Sequence, residues 1–537
     1  MPQLVRRGRV DFLVFDYLAE LTMSILAAAR MKDPAKGYAT DFVDITMKSM
    51  LREIKEAGIR VVSNAGGINP RGCAEAISAI AQSQNVPVRI AIIEGDDVMP
   101  LIPELRGSVR ELQSGEALPE KVATANAYLG AIPIAKALAE SADIVITGRC
   151  VDSAVTLGVL MHEFGWSPED YDKLAQGSLA GHIIECGCQA TGGLHTDWDA
   201  VPGWDDIGYP IIECRADGSF QVTKPEGTGG LMTPPVIAEQ ILYEVADPAS
   251  YILPDVICDF SNVRVVPSGT DRVAVSGAKG RVPTTTYKVS ATYFDGYKCS
   301  AQLTVIGFDA AKKLERTADA ILTRTRRIFR EMNLPDYTET NIEILGSESL
   351  YGPHARAEGL REGVLRLTVT HPDRAALEIF AREISPAGTS WAPGTTGFSG
   401  RPQPSRLIKQ FAFLLPKTKL PPVVLIDGKR IAVEVPSGND SQKPVSPPHT
   451  VASAPDGGDT VDVELLQVAY GRSGDKGDTC NIAIVARNAE LLPILREQVT
   501  EAKVAEYLKH LVLGDVKRFD APGLNALNFV CERALGG

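Results

Sequence analysis

Over the first third of the chain, short apolar and β-branched runs alternate with longer stretches whose apolar residues recur three and four apart. That is the pattern of strand–helix–strand units building a parallel sheet. Strands are predicted at 10–16 (VDFLVFD), 59–65 (IRVVSNA), 88–95 (VRIAIIEG) and 142–148 (ADIVITG). Helices are predicted over 123–142 (ATANAYLGAIPIAKALAESA), over 151–165, which opens on Asp-Ser, and over 170–187 (DYDKLAQGSLAGHIIECG), which would stop at Gly187. From about residue 205 alternation takes over. The run 286–307 (TYKVSATYFDGYKCSAQLTVIG) reads as two strands joined at Asp295-Gly296. Helices near 309–333 and 373–384 make this region α+β. Residues 434–459 (EVPSGNDSQKPVSPPHTVASAPDGGD) have few apolar anchors and read as a flexible linker. Beyond it come VDVELLQVAYG, TCNIAIVARN, a helix from Ala489 to about Leu508 and LNALNFVCERAL, enough for a small α/β domain. The expected class is α/β. Its parts are a parallel-sheet domain over 1–204 with flanking helices, an α+β region over 205–433, the linker, and a C-terminal domain over 460–537.

Composition narrows the functions. A chain of 537 residues, 44% hydrophobic and 23% charged, is globular and too long for one core. A net charge of −12 argues against nucleic acid and anionic membrane as partners. Nine scattered cysteines, an odd number, do not form a disulfide framework and point to a reducing, cytoplasmic setting. No run of eighteen apolar residues occurs, so no membrane span is expected. Asp11 and Asp16 break the apolar opening, against a signal peptide. Size and multi-domain build suggest a homo-oligomer.

In an open parallel sheet ligands bind where strands end, because loops and helix N-termini converge there. The predicted strands end in Asp16, in Asn64-Ala-Gly66-Gly67, in Glu94-Gly-Asp96-Asp97, and in Thr147-Gly-Arg149 followed by Asp152-Ser153. Each taken alone reads as a cap or turn residue. Together they predict one cleft, in which Gly66 and Gly67 admit close backbone approach and Arg149 is a fork for a carboxylate or phosphate. His182, Glu185 and Cys186 fall on one helical face. His182 can act as acid and base with Glu185 orienting it, or pack as a satisfied core residue. Cys186, at a helix C-terminus, is badly placed to be a thiolate. Cys186-x-Cys188 with His182, His195 and Cys214 lacks a recognised zinc spacing. Thr191-Gly192-Gly193, Lys224 with Thr228-Gly229-Gly230, and Lys279 can hold an anion through backbone N–H groups and one charge, or serve as plain loops. GRSGDKGD (471–478) repeats that chemistry. No GxGxxG follows the first strand and no Walker motif occurs, so NAD, FAD and P-loop ATP chemistry are poorly supported. The tetrapeptide Ile-Ile-Glu-Cys occurs at 183–186 and 211–214; the first copy is expected beside the site, the second in the core.

FLVFDYLAELTMSILAAARMKDPAKGYATDF, NAGGINP, ITGRCVDSA, GHIIECGCQATGG, KPEGTGG and GRSGDKGDTCNIAIVARN together resemble the acyclic terpene utilisation AtuA family, including its C-terminal ferredoxin-like domain. The resemblance implies degradation of acyclic terpenes through coenzyme A thioesters, and supplies no catalytic assignment. Family members begin with a further strand and a glycine-rich loop ahead of the segment matching VDFLVFDYLAE. On that comparison the sheet's first strand is absent here and the site is expected to be incomplete. The leading expectation is an enzyme acting on an acyl-CoA or branched carboxylic acid by lyase or hydratase proton chemistry. His182 with Glu185, or Glu94 or Asp97, would move the proton. Coenzyme A would enter as part of the substrate. Magnesium is a candidate cofactor on Asp16, Glu94, Asp96 or Asp97, since an enolate needs charge stabilisation. The rival expectation is a noncatalytic partner that senses an acyl-CoA or scaffolds a terpene-degradation complex, with its C-terminal domain docked on another subunit.

Overall fold

The computed structural model describes residues 2–440 and 461–536. Residues 441–460, most of the expected linker, lie outside the described residues. Just before them the chain is tied down: Asn439 N donates to Pro283 O (2.8 Å) and Asp440 accepts from Thr285 N (2.9 Å).

The chain forms two compact units, one of Met1–Leu118, Thr124–Ala291 and Gln410–Gly537, the other of Pro119–Ala123 and Thr292–Lys409. They cut the chain elsewhere than at the expected boundaries near 204 and 433. In the larger unit the strands Phe12–Phe15, Arg60–Ser63, Ile144–Thr147 and Ile90–Glu94 lie side by side in that order, all parallel. The antiparallel hairpin Val423–Ile426 and Lys429–Ala432 extends the sheet beyond Ile90–Glu94. Ile144–Thr147 is buried along its whole length, as a strand covered on both faces must be, which is why three of its four residues are β-branched and apolar. Phe42, Met47, Leu51, Ile54, Cys73 and Ile77 fill the layer against Val61, Ile144 and Ile146.

All four predicted parallel strands are present. The expected helix over 123–142 divides into a strand, Val122–Ala127, and a helix, Ile132–Ala139. Pairing with the strand Thr286–Ile306 makes Val122–Ala127 extended, and Asp96 fixes its end, its carbonyl accepting from Ala127 N (2.7 Å) and its carboxylate from Asn126 Nδ2 (2.8 Å), tertiary bonds that outweigh local helical spacing. The expected hairpin at Asp295-Gly296 is one unbroken strand, Thr286–Ile306, paired with Glu362–His371. Gly296 (φ 84°) is needed there for packing, since a Cβ would stand 2.8 Å from His371 O. In the smaller unit the helices Ala310–Glu331 and Arg374–Ser390 pack on that antiparallel sheet through Leu314, Ile321, Phe329, Leu367 and Phe380. The second Ile-Ile-Glu-Cys, Ile211–Cys214, is an edge strand of a separate four-stranded sheet. Its side chains are half-buried or exposed, not core as expected.

At the C-terminus an antiparallel sheet runs in the order Ala469–Lys476, Thr479–Ala486, Ala526–Cys531, Val516–Ala521. The expected helix over 489–508 is broken into Leu492–Gln498 and Glu501–Tyr507, because Thr500 caps the second piece by accepting from Lys503 N. Within the larger unit this sheet is joined to the segment 242–246 through two buried asparagines. Asn481 Nδ2 donates to Leu242 O (2.8 Å) and to Asn528 Oδ1 (3.0 Å), and Asn528 Nδ2 donates to Val245 O (2.7 Å) and Ala246 O (2.6 Å). Asn528→Ala strands buried carbonyls and an amide. It is expected to cost about 2–4 kcal/mol, read as a lowered urea midpoint.

Candidate functional site

Because Phe12–Phe15, Arg60–Ser63 and Ile144–Thr147 are adjacent and parallel, the residues after them are neighbours. Asn64, buried, donates from Nδ2 to Asp16 Oδ1 and accepts on Oδ1 from Tyr17 N (2.7 Å). Asp16 Oδ1 also accepts from Leu18 N (3.3 Å). Asp16 Oδ2 has no hydrogen-bond partner among the described residues, and the side chain is half-buried. Burial and the nearby Asp152 carboxylate push Asp16 up to about 7, against the pull of Arg149 and Asn64. Asp16 therefore changes charge near neutrality.

Arg149, only 2% exposed, donates from Nη1 to Leu18 O and to Asp152 Oδ1 (2.9 Å) and lies over the Tyr128 ring at 4.2 Å. The expected fork for a ligand is thus an internal brace. It holds Asp152 and the Leu18 loop in place beside Asp16.

The helix Tyr171–Glu185 brings the second half of the site. Gly181 lets its end close on the 152–153 loop, as a Cβ there would stand 2.7 Å from Ser153 O, and Ser153 itself is buried at that contact. His182 Nδ1 faces Glu185 Oε1 (3.0 Å) and His182 Nε2 faces Ile241 O (3.1 Å). Both neighbours are acceptors. Either the imidazole carries two protons, or one sits on Nε2 and another on Glu185; the pair binds two protons in both cases. Burial alone would lower His182, and the Glu185 carboxylate outweighs it, raising the imidazole above its ordinary range. Glu185 is raised by burial, and Asp152 adds to the rise. Burial and the surrounding carboxylates push Cys186 up to about 12, so it stays a thiol. The carboxyl groups of Asp16, Asp152 and Glu185 all lie within electrostatic reach of one another.

The fourth strand end contributes from beneath. Asp96, 4% exposed, accepts on Oδ2 from Arg149 N and Asn126 Nδ2, both at 2.8 Å, and burial pushes it up to about 7. Its ordinary value is 3.8. Between about pH 4 and 7 the folded chain therefore keeps a proton that the unfolded chain releases, so this contribution to stability falls as pH rises through that window. Asp96→Asn is expected to gain stability relative to the parent between pH 5 and pH 8, measured by urea unfolding at both.

Glu94 and Asp97, expected as proton-moving residues, are placed elsewhere. Glu94 is engaged by Arg71 (2.5 Å) and Arg430 (3.8 Å), and exposed Asp97 accepts from its own Met99 N (2.9 Å). Gly95 (φ 122°), pressed on Pro422, turns the chain so that Asp96 goes inward and Asp97 outward. The oxygens expected to hold magnesium are therefore dispersed. Among the described residues no group of three or more His, Cys, Asp or Glu is set to hold a metal ion. Nothing in this donor set fits magnesium.

The glycine clusters are likewise closed. A Cβ at Gly66 would meet Thr147 O at 2.6 Å and one at Gly67 would meet Gly37 O at 2.8 Å, so both serve chain packing. The loop Thr191-Gly192-Gly193 and the loop 224–230 fold on each other. Gly193 N donates to Cys188 O, Leu231 N to Thr191 O, Gly230 N to Pro202 O and Gly229 N to Asp206 O, each at 2.8 Å. Thr191 Oγ1 and Thr228 Oγ1 donate to Gly208 O and Pro225 O, both at 2.6 Å. Lys224 is bound to Thr228 O (2.9 Å) and Asp271 (3.1 Å), and Lys279 to Asp172 (2.8 Å). These N–H groups are already spent and do not form the expected anion cradle.

Residues 1–426 match the family model described as acyclic terpene utilisation family protein AtuA, and 463–537 match the AtuA ferredoxin-like domain. The chain belongs to the AtuA family. Neither a curated protein nor a solved structure matches it. The family places this AtuA protein in acyclic terpene utilisation, and the second match falls on the C-terminal antiparallel sheet. No helix among the described residues is long and apolar enough to cross a membrane.

In this AtuA protein the ferredoxin-like domain docks on its own chain, on the segments 189–197 and 242–246. Thr196 Oγ1 donates to Gly471 O (3.1 Å), and Arg487 pairs with Asp197 (2.7 Å). Arg472 donates to Gln189 Oε1 and lies over the Tyr243 ring at 4.4 Å. His195 is held by Glu239 (2.6 Å) against Tyr470, with ring centroids 5.5 Å apart. Glu244 and Tyr251 carry no sequence signal as neighbours of His182, Glu185 and Cys186, because they come from distant segments.

Proposed function

We propose that this AtuA-family protein is an enzyme of acyclic terpene catabolism that moves a proton beside the carbonyl of a branched acyl-CoA or carboxylate, in a hydratase or lyase reaction. One observation carries the reading. Asp16 has one carboxylate oxygen anchored and the other unpartnered among the described residues, burial pushes it up to about 7, and it lies within electrostatic reach of Glu185 in a buried pair that binds two protons. A general base and a general acid work best when their pKa values bracket the working pH and differ in protonation.

In a hydration, ionised Asp16 would take a proton from water as its oxygen bonds to the β carbon. The Glu185–His182 pair would return one to the α carbon, and the proton on Asp16 would then restore the pair. Run backwards, the same steps eliminate water. Arg149 and Asp152 hold the geometry, and Asp96 supports Arg149 from below. Cys150 and Cys186, both raised by burial, are unsuited to attack as thiolates.

The test is incubation of the purified protein with a panel of branched enoyl- and hydroxyacyl-CoAs, products followed by mass. Gain or loss of water in one of them supports the reading. Thermal stabilisation by a thioester that never changes would replace it with the sensing role.

A further inference from the structure

A cavity of about 1050 Å³, large enough for a sizeable ligand, lies beside the outer edge of the parallel sheet. Phe12, Val14, Val159, Leu160, Ile184 and Ile212 give it an apolar lining. Both copies of Ile-Ile-Glu-Cys therefore meet at one hollow, the first through Ile184 and the second through its whole strand. Two of the walls, Phe12–Phe15 and Ile211–Cys214, are edge strands. On Phe12–Phe15 the open edge can be read residue by residue. Arg60 N donates to Asp11 O (3.0 Å) and Asn64 N to Phe15 O (3.3 Å), so Asp11, Leu13 and Phe15 turn their backbone groups to Arg60–Ser63. The amides and carbonyls of Phe12 and Val14 then face outward, unpartnered among the described residues.

Three chemistries follow one another along this edge. At its start stands Arg9, a lining residue that is exposed and makes no hydrogen bond or ion pair among the described residues. The other basic residues of the lining, Arg6, Arg7, Lys224 and Arg272, are engaged by Glu53, Asp206, Asp271 and Glu213. Next come the open backbone groups of Phe12 and Val14. Asp16 stands just past the strand's end. Side chains two apart share one face of a strand, so Phe12, Val14 and Asp16 form a row while Leu13 turns to the core on the other face. Glu185, which acts on the Asp16 carboxyl, is the chain neighbour of the lining residue Ile184. From Phe12 to Asp16 the row spans about 13 Å at a strand's rise. A coenzyme A thioester carries the matching groups in the same order: phosphates, the two amides of the pantetheine arm, and the thioester. Amides of an extended arm bond an open strand edge as those of another strand would.

We propose that this cavity is the coenzyme A site, with the pantetheine arm laid along the open edge of Phe12–Phe15, its amides bonded to the backbone of Phe12 and Val14, the phosphates at Arg9 and the thioester delivered to Asp16. The proposal rests on the acyl-thioester reading above. The experiment is calorimetric binding to the full chain of 3-methylbut-2-enoyl-CoA and of the corresponding pantetheine thioester, which lacks the phosphates and the nucleotide. The parent is compared with Arg9→Glu, Val14→Phe and Arg264→Glu. Arg264, exposed on the strand at the opposite edge of the sheet that ends in Ile211–Cys214, controls for the change of charge. Arg9→Glu is expected to weaken the CoA thioester about tenfold or more and to leave the pantetheine thioester unchanged. Val14→Phe fills the hollow and should weaken both about tenfold or more. Arg264→Glu should weaken neither. The urea midpoint of Arg9→Glu should stay near the parent's, since the residue is exposed and unpaired. Parent-like binding of the CoA thioester by Arg9→Glu or by Val14→Phe, or an equal loss of both thioesters in Arg9→Glu, overturns the placement and leaves the acyl-thioester reading standing. A parent that binds in the expected pattern and converts no thioester of the panel keeps the placement and overturns the enzymatic reading. A parent that neither binds nor converts any of them overturns both.

Discussion

Asp16→Asn is expected to lower turnover of a branched acyl-CoA by about 10²- to 10⁴-fold, the usual range for loss of a positioned proton-transfer group. The parent rate should rise with pH through about 7 as Asp16 ionises, since a base must be charged to accept a proton, and Asn should abolish that limb. The same substitution should act on stability in the opposite direction. Burial raises Asp16 from 3.8 to about 7, so the folded chain pays an increasing penalty as pH climbs from about 4 to 7, and an amide escapes it. Asp16→Asn is thus expected to be more stable than the parent at pH 8 and close to it at pH 5, while nearly inactive at both. Steady-state rates and urea midpoints across this range check both halves.

Arg149→Met is the substitution expected to damage the fold most, by about 3–5 kcal/mol, because it leaves Asp152 facing a buried site without its cation and Leu18 O without its donor. Arg149→Lys should recover only part of this. A lysine carries a point charge and cannot reach Asp152 and Leu18 O together while lying flat on Tyr128. The loss should be larger at pH 8 than at pH 5, as Asp16 becomes anionic beside the gap. Chemical unfolding at the two pH values measures it.

The parallel sheet was legible because its strands are written as short β-branched and apolar runs, Ile144–Ile146 at its fully buried centre most plainly. The helix Tyr171–Glu185 was legible from its period and its glycine stop, and with it the His182–Glu185 contact, since residues three apart on a helix must meet. What failed did so for identifiable reasons. The stretch 123–127 carries a helical spacing but belongs to Asp96, a partner some thirty positions away that local pattern cannot reveal. Asp295-Gly296 has turn chemistry, yet its glycine is there to admit His371 O. The strand ends were read as equivalent, whereas the twist at Gly95 removes Glu94 and Asp97 and leaves Asp96 as a support. The glycine-rich loops have the composition of anion cradles, and only tertiary bonding shows their N–H groups to be spent on backbone carbonyls. The docking of the ferredoxin-like domain rests on bonds such as Asn481 to Leu242, 239 residues apart, beyond any periodicity.

The most direct measurement is incorporation of solvent deuterium. A branched enoyl-CoA and its hydrated counterpart are incubated with the protein in heavy water and the recovered thioesters are analysed by mass and NMR. Deuterium at the α carbon with the parent, and none with Asp16→Asn, is the predicted result. Thioesters recovered unlabelled and unchanged after prolonged incubation with folded parent protein would contradict it.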